Sequence, residues 1–290
     1  MAGTLSSSQT EKYERDGFLV GVPVFSSTES EKIRSEIEAL EETVGSQTTH
    51  DLNQYFRVNG HVVIPLLAKL ARTPAVLDSV ESILGPNILA WSVELFIKEA
   101  NTTKIVSWHQ DITYWGMGET NDEVTAWIAL TDVTVEAGCM RFIPGSHVGG
   151  IVSHKDTFDE QNLLSRGQEI EGIDESKAVF GALKPGEMSL HHGRCFHASG
   201  PNESSGRRIG LAIRYVTPEV RLDAPGRDYA MLVRGHDQHR GWVNIAGAKS
   251  LFDDDDLLLY DKILADQQSV LAAGADQKVS LYGTAQTEGI

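Results

Sequence analysis

The sequence is poor in cysteine and contains no long hydrophobic run. Its 290 residues include two cysteines, Cys139 and Cys195. They are too few for the disulfide framework of a small secreted protein, so we expect buried thiols in a reducing compartment. No segment approaches the run of about 18 apolar residues that a membrane helix needs, and the first residues lack the basic and apolar segments of a signal peptide. These absences predict a cytoplasmic protein without membrane association.

Basic residues are scarce relative to acidic ones. The chain has 25 lysines and arginines against 41 aspartates and glutamates, which gives a formal net charge of −16. Because such a surface repels nucleic-acid phosphates and anionic lipid headgroups, we expect neither as a partner. Hydrophobic residues make up 41% and charged residues 23% of the chain, as is typical of a globular protein. We therefore expect a small-molecule ligand, and the composition leaves the oligomeric state open.

The first part of the chain is predicted to be mainly helical. Two capping-box patterns, Ser26-x-x-Glu29 and Thr28-x-x-Glu31, precede an apolar stripe, and this helix is predicted to end at Gly45. Thr73 and Gly85 have the residue types that begin and end a second helix. The connection 46–62 has little periodicity, which fits either a lid or binding loop or a solvated loop.

Short apolar segments separated by turn residues follow from Ile88 onwards. Six of them are predicted to be strands, namely 88–97, 104–109, 124–131, 139–143, 187–191 and 209–216. This order favours a mainly β (α+β) fold: a double-stranded β-helix core, that is a cupin-like jelly roll, with flanking and mostly N-terminal helices. We predict a single domain over 1–290. Its parts are a helical support and lid at 10–87, the core at 88–216 with an insertion at 147–182, and a C-terminal extension at 217–290.

His109 and Asp111 are separated by one residue at the end of a predicted strand. In an extended chain their side chains project from the same face, where an imidazole and a carboxylate can bind one metal ion. His197 is the candidate third ligand, and His191 and His192 are alternative sources of the second imidazole. Two histidines and one carboxylate on one side of a metal suit non-haem Fe(II) for oxygen chemistry. A chelator such as 2-oxoglutarate would fill two of the open positions.

Arg208 opens an apolar strand shortly after His197. On that strand Arg208, Gly210 and Ala212 share a face, so a guanidinium lies beside two residues with almost no side chain. A planar fork of N–H donors with free space in front of it suits a carboxylate.

The combined spacing resembles a known family. The pattern His109-x-Asp111, followed by His197-x-Ser199-x-x-Asn202-x-Ser204-x-x-x-Arg208, is similar to that of the phytanoyl-CoA dioxygenase family of Fe(II)- and 2-oxoglutarate-dependent oxygenases. The segment from Gly138 to His147 resembles that family as well. The likeness covers roughly residues 10–235.

The resemblance implies a role for each residue of the motif. The Fe(II) ligands that it implies are His109, Asp111 and His197, and the residues that it places at the co-substrate are Arg208, Ser199 and Trp127. Arg208 would pair with the distal carboxylate of 2-oxoglutarate, and Ser199 would donate a hydrogen bond to its carboxylates. For Trp127, a core tryptophan without contact to the co-substrate is the alternative.

On this resemblance we expect an enzyme, a non-haem iron dioxygenase that uses Fe(II), 2-oxoglutarate and O2. The expected reaction is hydroxylation of an unactivated C–H bond in a small metabolite or natural-product intermediate, with release of succinate and CO2. Halogenating relatives have a small residue in place of the carboxylate ligand, so Asp111 favours hydroxylation over chlorination. Desaturation, cyclisation and epimerisation would use the same residues and stay open.

The substrate is less well marked. Tyr114, Trp115 and Met117 follow the metal motif and are predicted to line the mouth of the jelly roll, which favours an apolar or aromatic ligand. The alternative is an anionic group bound by one or more of the arginines Arg214, Arg221, Arg227 and Arg234.

Two other classes of protein are compatible with a metal-binding jelly roll. A cupin-like isomerase or lyase would use no 2-oxoglutarate and would have no need of Arg208 as a carboxylate ligand. A non-catalytic binding module would usually lack one of the three metal ligands. The complete set and Arg208 together favour the oxygenase.

Overall fold

A computed structural model describes residues 4–44, 48, 50–222 and 228–271. Six α-helices lie within these ranges: Ser7–Asp16 (α1), Ser27–Val44 (α2), Leu52–Arg57 (α3), Pro65–Leu70 (α4), Pro74–Leu84 (α5) and Asp254–Leu271 (α6). The same ranges contain thirteen strands: Phe18–Pro23 (β1), Ile88–Lys98 (β2), Val106–His109 (β3), Glu123–Ala129 (β4), Met140–Phe142 (β5), Lys155–Asp156 (β6), Gln168–Glu169 (β7), Val179–Gly181 (β8), Glu187–His191 (β9), His197–Ser199 (β10), Arg208–Val216 (β11), Tyr229–Arg234 (β12) and Val243–Asn244 (β13).

The two predicted helices are present as α2 and α5. At the start of α2, the Glu29 N–H donates to Ser26 Oγ at 3.2 Å and the Ser26 N–H donates to Glu29 Oε2 at 2.8 Å, which completes the capping box. Gly85 follows α5 with a φ of 81°, a conformation that glycine adopts without a steric penalty. The predicted end of α2, Gly45, lies outside the described residues.

The connection predicted at 46–62 contains regular structure in its described part. It holds α3 and a 3-10 turn at Gly60–Val62. Tyr55 and Phe56 of α3 are 0% and 1% exposed, so the interpretation as a solvated loop is wrong for this helix. A helix of six residues spans fewer than two turns, which is too short for its periodicity to be recognised in the sequence. Among the described helices, none combines the length and the apolar character needed to cross a membrane.

Two β-sheets form the centre of the fold. The larger has seven strands in the order β1-β9-β4-β11-β2-β12-β13, and the smaller has four in the order β3-β10-β5-β8. All six predicted strands are present, and neighbouring strands pair antiparallel except β12 with β13. The predicted jelly roll with flanking helices is confirmed.

The larger sheet reaches beyond the predicted core at 88–216. Strand β1 pairs with β9 at one edge, and β12 pairs with β2 near the other. The sequence around β12 is rich in charged and loop-forming residues, so no strand was predicted in the extension at 217–290. The predicted insertion at 147–182 contains the two-stranded hairpin of β6 and β7 and ends with β8, which pairs with β5.

The two faces of β11 pack against different layers. Ile209, Leu211 and Ile213 belong to the main apolar core, which the larger sheet forms with the helices. Ala212, on the opposite face, belongs to a second apolar cluster that includes residues of both sheets, among them Phe142. Alternation along the strand therefore places Arg208, Gly210, Ala212 and Arg214 in the space between the sheets. The sequence predicted that the first three share a face, but not that this face lies between two sheets. Both cysteines are free and buried.

Candidate metal and co-substrate site

Three predicted metal ligands converge between the sheets. His109 ends β3 and His197 begins β10, and the two residues are paired partners across these antiparallel strands. The ligand atoms of His109, Asp111 and His197 all lie within 4.8 Å of one another. Oδ1 of Asp111 is 3.2 Å from Nε2 of His109 and 3.7 Å from Nε2 of His197. One ion can therefore contact all three side chains.

Asp111 does not continue the strand, contrary to the sequence prediction. Strand β3 ends at His109, and Asp111 begins a 3-10 turn at Asp111–Tyr114. The ladder stops because the Gln110 N–H donates to Nε2 of His154, at 2.9 Å, instead of to a neighbouring strand. The turn still places the carboxylate beside His109.

The hydrogen bonds of the two histidines prepare them to bind a metal. Nδ1 of His109 donates to the Ser107 carbonyl and Nδ1 of His197 donates to the Cys195 carbonyl, each at 2.9 Å. Since a carbonyl only accepts, Nδ1 carries the proton and Nε2 presents its lone pair toward Asp111. Burial lowers the pKa of His197 well below its usual value, so this imidazole is neutral at physiological pH.

The carboxylate of Asp111 is held by partners on its far side. Its Oδ2 accepts from Thr125 Oγ1 at 3.1 Å, and it lies 3.3 Å from Nε2 of His191 and 3.9 Å from Nε of Arg214. Burial opposes ionisation, but the positive charge of Arg214 counteracts it, and the pKa of Asp111 lies well below its usual value. Two imidazole nitrogens and one ionised carboxylate oxygen are the donor set that suits Fe(II).

His191 and His192 are not placed as alternative ligands. Nε2 of His191 contacts Oδ2 of Asp111, the oxygen that does not face His109 and His197. His192 points elsewhere, with Nε2 at 3.2 Å from Oδ1 of Asn121. His197 is therefore the histidine that completes the cluster.

Arg208 lies between the sheets at the other end of β11. It is 2% exposed, and its NH1 donates to the Gly138 carbonyl at 2.5 Å while its Nε has no hydrogen-bond partner among the described residues. Its Cζ is 5.4 Å from the ring centre of Trp127. Trp127 is 4% exposed and packs in the apolar cluster between the sheets, so it is a core residue that also contacts the guanidinium.

Lys98 is a second buried cation that the sequence analysis missed. It pairs with Arg208 across β2 and β11, and its Nζ donates to Ser199 Oγ at 2.8 Å and to the Gly200 carbonyl at 2.5 Å. The Ser199 hydroxyl hydrogen is consequently free to donate to a ligand. No carboxylate in the described part of the chain forms an ion pair with Lys98 or Arg208 within 4.0 Å.

The buried surroundings of Lys98 and Arg208 disfavour the charged forms of both side chains. Burial, with the charges of Arg208 and Arg57, lowers the pKa of Lys98 to about 6. Burial also lowers the pKa of Arg208 to about 10. Two buried basic groups without an acidic partner among the described residues would be stabilised in their charged forms by an anion between them, which is the environment that a distal carboxylate needs.

The predicted substrate residues have different surroundings. Trp115 is half-buried, and its ring centre lies 4.9 Å from that of Trp91 and 5.0 Å from Cζ of Arg214. Met117 is 3% exposed and packs in an apolar cluster with Ile112, behind this surface. The side chain of Tyr114 lies outside the described part of the structure.

Among the three candidate arginines that the structure describes, Arg214 alone lies at the metal site. Arg234 pairs with Asp78 and Glu81 on α5. Arg221 donates to backbone carbonyls of its own loop, such as that of Pro218. Arg227 lies outside the described residues.

Comparisons with known proteins agree with this geometry. The family described as phytanoyl-CoA dioxygenase (PhyH) matches residues 13–210. The chain is 27% identical over 230 residues to a probable alpha-ketoglutarate-dependent hypophosphite dioxygenase of Stutzerimonas stutzeri, covering 74% of this chain and 79% of that protein. It is 30% identical over 230 residues to the L-proline trans-4-hydroxylase of Streptomyces griseoviridis, covering 70% of this chain and 84% of that protein. Among solved structures, the non-heme monooxygenase ThoJ in its apo form is 33% identical, with a TM-score of 0.82 over 91% of this chain and 98% of that one.

Proposed function

The chain belongs to the phytanoyl-CoA dioxygenase family, and from this premise we propose that it hydroxylates an unactivated C–H bond of a small molecule. It is an Fe(II)- and 2-oxoglutarate-dependent oxygenase, as its family and relatives are. The proposal of hydroxylation depends chiefly on one observation, the intact cluster of His109, Asp111 and His197. A bound Fe(II) supplies the activation of O2 that, together with oxidative decarboxylation of 2-oxoglutarate to succinate and CO2, oxidises the substrate.

His109, Asp111 and His197 are the proposed iron ligands. The backbone carbonyls of Ser107 and Cys195 fix the tautomers of the two histidines, so both Nε2 atoms can bind metal without losing a proton. Thr125 orients the carboxylate of Asp111 by donating to its far oxygen. These residues would hold the ion from the protein side, and 2-oxoglutarate would bind the same ion.

Arg208 is the proposed partner of the distal carboxylate of 2-oxoglutarate. Its burial excludes water, and its Nε, which has no hydrogen-bond partner among the described residues, supplies a donor. Ser199 and Lys98 lie beside it as further donors, and Trp127 bounds the space on the side of β4. Together these residues would orient the co-substrate toward the iron ligands.

Asp111 supports hydroxylation over halogenation. Its carboxylate fills the third ligand position, and its oxygen Oδ1 faces both histidines. A halide would have to displace this carboxylate, which Thr125 and His191 hold from behind.

Oxygen labelling tests the proposal. The protein with Fe(II), 2-oxoglutarate and labelled O2 is incubated with pooled amino acids, organic acids and acyl-CoA esters, and products are analysed by mass spectrometry. We expect a product that carries one labelled oxygen atom, formed with one succinate per product. Asp111→Ala should abolish both products because an iron ligand is lost, whereas the exposed Asp132→Ala should not. A product that has lost two hydrogens and gained no oxygen would contradict hydroxylation.

A further inference from the structure

A second charged pair lies beside the proposed iron ligands, on the inner face of the larger sheet. NH1 of Arg214 is 2.7 Å from Oε1 of Glu94, and the two side chains are 10% and 15% exposed. Nε of Arg214 is 3.9 Å from Oδ2 of Asp111. A small molecule bound by this pair would therefore lie next to the iron ligands.

Part of the hydrogen-bonding capacity of the pair is unused among the described residues. Nε of Arg214 is buried and has no hydrogen-bond partner there. NH1 of Arg214 is occupied by its ion pair with Glu94. Glu94 accepts one hydrogen bond, from Ser92 Oγ at 2.9 Å. Because buried donors without partners are costly, the Nε donor of Arg214 is suited to a ligand that supplies an acceptor.

The wall next to this pair is aromatic. The guanidinium of Arg214 lies over the ring of Trp115, which packs on Trp91, and both rings are half-buried. Ile112 and Trp242 form part of the apolar cluster behind them. The surface therefore offers one acid, one base and apolar contacts within a short distance.

We propose that Glu94 and Arg214 bind the primary substrate, and that this substrate is a zwitterion, a free L-α-amino acid. Its carboxylate would bond to Arg214 and its ammonium group to Glu94, with the remainder against Trp115. A ligand with only a negative charge would approach the carboxylates of Glu94 and Asp111, and one with only a positive charge would approach Arg214. A ligand with both charges matches both groups, since buried charges need partners. This inference rests on the proposed function, because it assigns the substrate of that site.

The test is a binding titration without turnover. The protein is loaded with Fe(II) and 2-oxoglutarate in the absence of O2, and the visible charge-transfer band of the bound co-substrate is followed as each free L-amino acid is added to millimolar concentration. We expect at least one amino acid to change the band. For that amino acid, the methyl ester, which lacks the negative charge, and the N-acetyl derivative, which lacks the positive charge, should each bind at least about tenfold more weakly.

The variant Glu94→Gln tests the proposed contact with the ammonium group separately from the contact with the carboxylate. The variant should keep the band with 2-oxoglutarate, bind the amino acid about tenfold more weakly and no longer discriminate against the N-acetyl derivative, because the partner of the ammonium group is lost. Glu99→Gln is the matched control, since Glu99 pairs with Arg207 at the surface and its side chain is 63% exposed; it should behave as the unchanged protein does.

The outcomes distinguish this inference from the proposed function. A band that forms with 2-oxoglutarate but responds to no amino acid overturns the inference alone. So does an ester or N-acetyl derivative that binds as tightly as the amino acid, or a Glu94→Gln protein with unchanged preference. Failure of the band to form in the iron-loaded protein contradicts the proposed function itself, and the inference is rejected with it.

Discussion

Asp111 divides its two carboxylate oxygens between different partners. Oδ1 faces Nε2 of both His109 and His197, whereas Oδ2 faces Thr125, His191 and Arg214. Partners behind a ligating carboxylate fix its orientation, and their loss weakens a metal site. Oδ1 would therefore be the oxygen that Asp111 presents to a metal held by both histidines.

Lys98 should make co-substrate binding depend on pH. Its pKa is lowered to about 6 by burial and by Arg208 and Arg57, so at higher pH most of it is neutral before 2-oxoglutarate binds. A bound dianion favours the charged form and raises this pKa, so binding takes up a proton in the interval between the two pKa values. The affinity for 2-oxoglutarate should consequently fall as the pH rises above about 6, by at most tenfold per pH unit.

The measurement is the dissociation constant of 2-oxoglutarate at saturating Fe(II) between pH 6 and 8, without O2. Lys98→Met should flatten the dependence because no charge is lost or gained at that position, and Lys98→Arg should flatten it at higher affinity because arginine stays protonated. An equally steep dependence in all three proteins would assign the effect to another group.

The sequence identifies some of these residues and not others. His109, Asp111, His197 and Arg208 form a spaced motif and were predicted. Lys98 was not, because a lysine at the end of an apolar strand is typical of a solvated terminus. Its burial depends on the pairing of β2 with β11, a contact between residues 98 and 208 that local pattern does not reveal.

At the scale of single elements, β11 connects the two halves of the proposed site. Its alternation places one face against the helical layer and the other between the sheets, so that Arg208 reaches the proposed co-substrate position while Arg214 reaches Asp111. This division was predictable because an alternating strand has a period of two. The 3-10 turn that begins at Asp111 could not be predicted in this way, since it depends on His154 from the distant insertion.

Gly210 of β11 is required by the close approach of Trp127. A Cβ atom at this position would lie 1.9 Å from Cζ2 of the indole, and Trp127 cannot retreat easily because it is buried between the sheets. Gly210→Ala should therefore lower the free energy of unfolding by about 1–3 kcal/mol. It should also weaken binding of 2-oxoglutarate, because the displaced indole moves relative to Arg208.

Urea unfolding and the 2-oxoglutarate titration measure the two effects. Gly206→Ala is the matched control, since a Cβ atom there would have no neighbour within 4 Å. If Gly210→Ala unfolds at the same urea concentration as Gly206→Ala, the indole of Trp127 can move to accommodate a methyl group, and the proposed role of Gly210 is wrong.

At the scale of the whole molecule, the two sheets supply different parts of the proposed site. The smaller sheet carries His109 and His197, and the larger carries Lys98, Arg208 and Arg214. The site therefore exists only when the sheets pack face to face, and neither sheet alone would bind both iron and 2-oxoglutarate.

The distribution of charge is also a property of the whole chain. The formal net charge is −16, whereas the space between the sheets contains buried cationic side chains. Acidic residues are concentrated on exposed helices such as α2, where they remain solvated. The composition correctly indicated an ordinary globular protein, but it could not indicate a basic interior. That interior depends on which charged residues the topology buries.

The central claim is that His109, Asp111 and His197 hold Fe(II) and that Arg208 holds the far end of 2-oxoglutarate. The most direct test is anaerobic titration of the iron-loaded protein with 2-oxoglutarate, following the visible charge-transfer band that chelation of Fe(II) by the co-substrate produces. We expect the band in the unchanged protein and in the control His236→Ala, whose histidine is exposed. His197→Ala should form no band. Arg208→Ala should form the band only at a much higher 2-oxoglutarate concentration. A protein that binds iron fully and forms no band, or a His197→Ala protein that forms it unchanged, would contradict the claim.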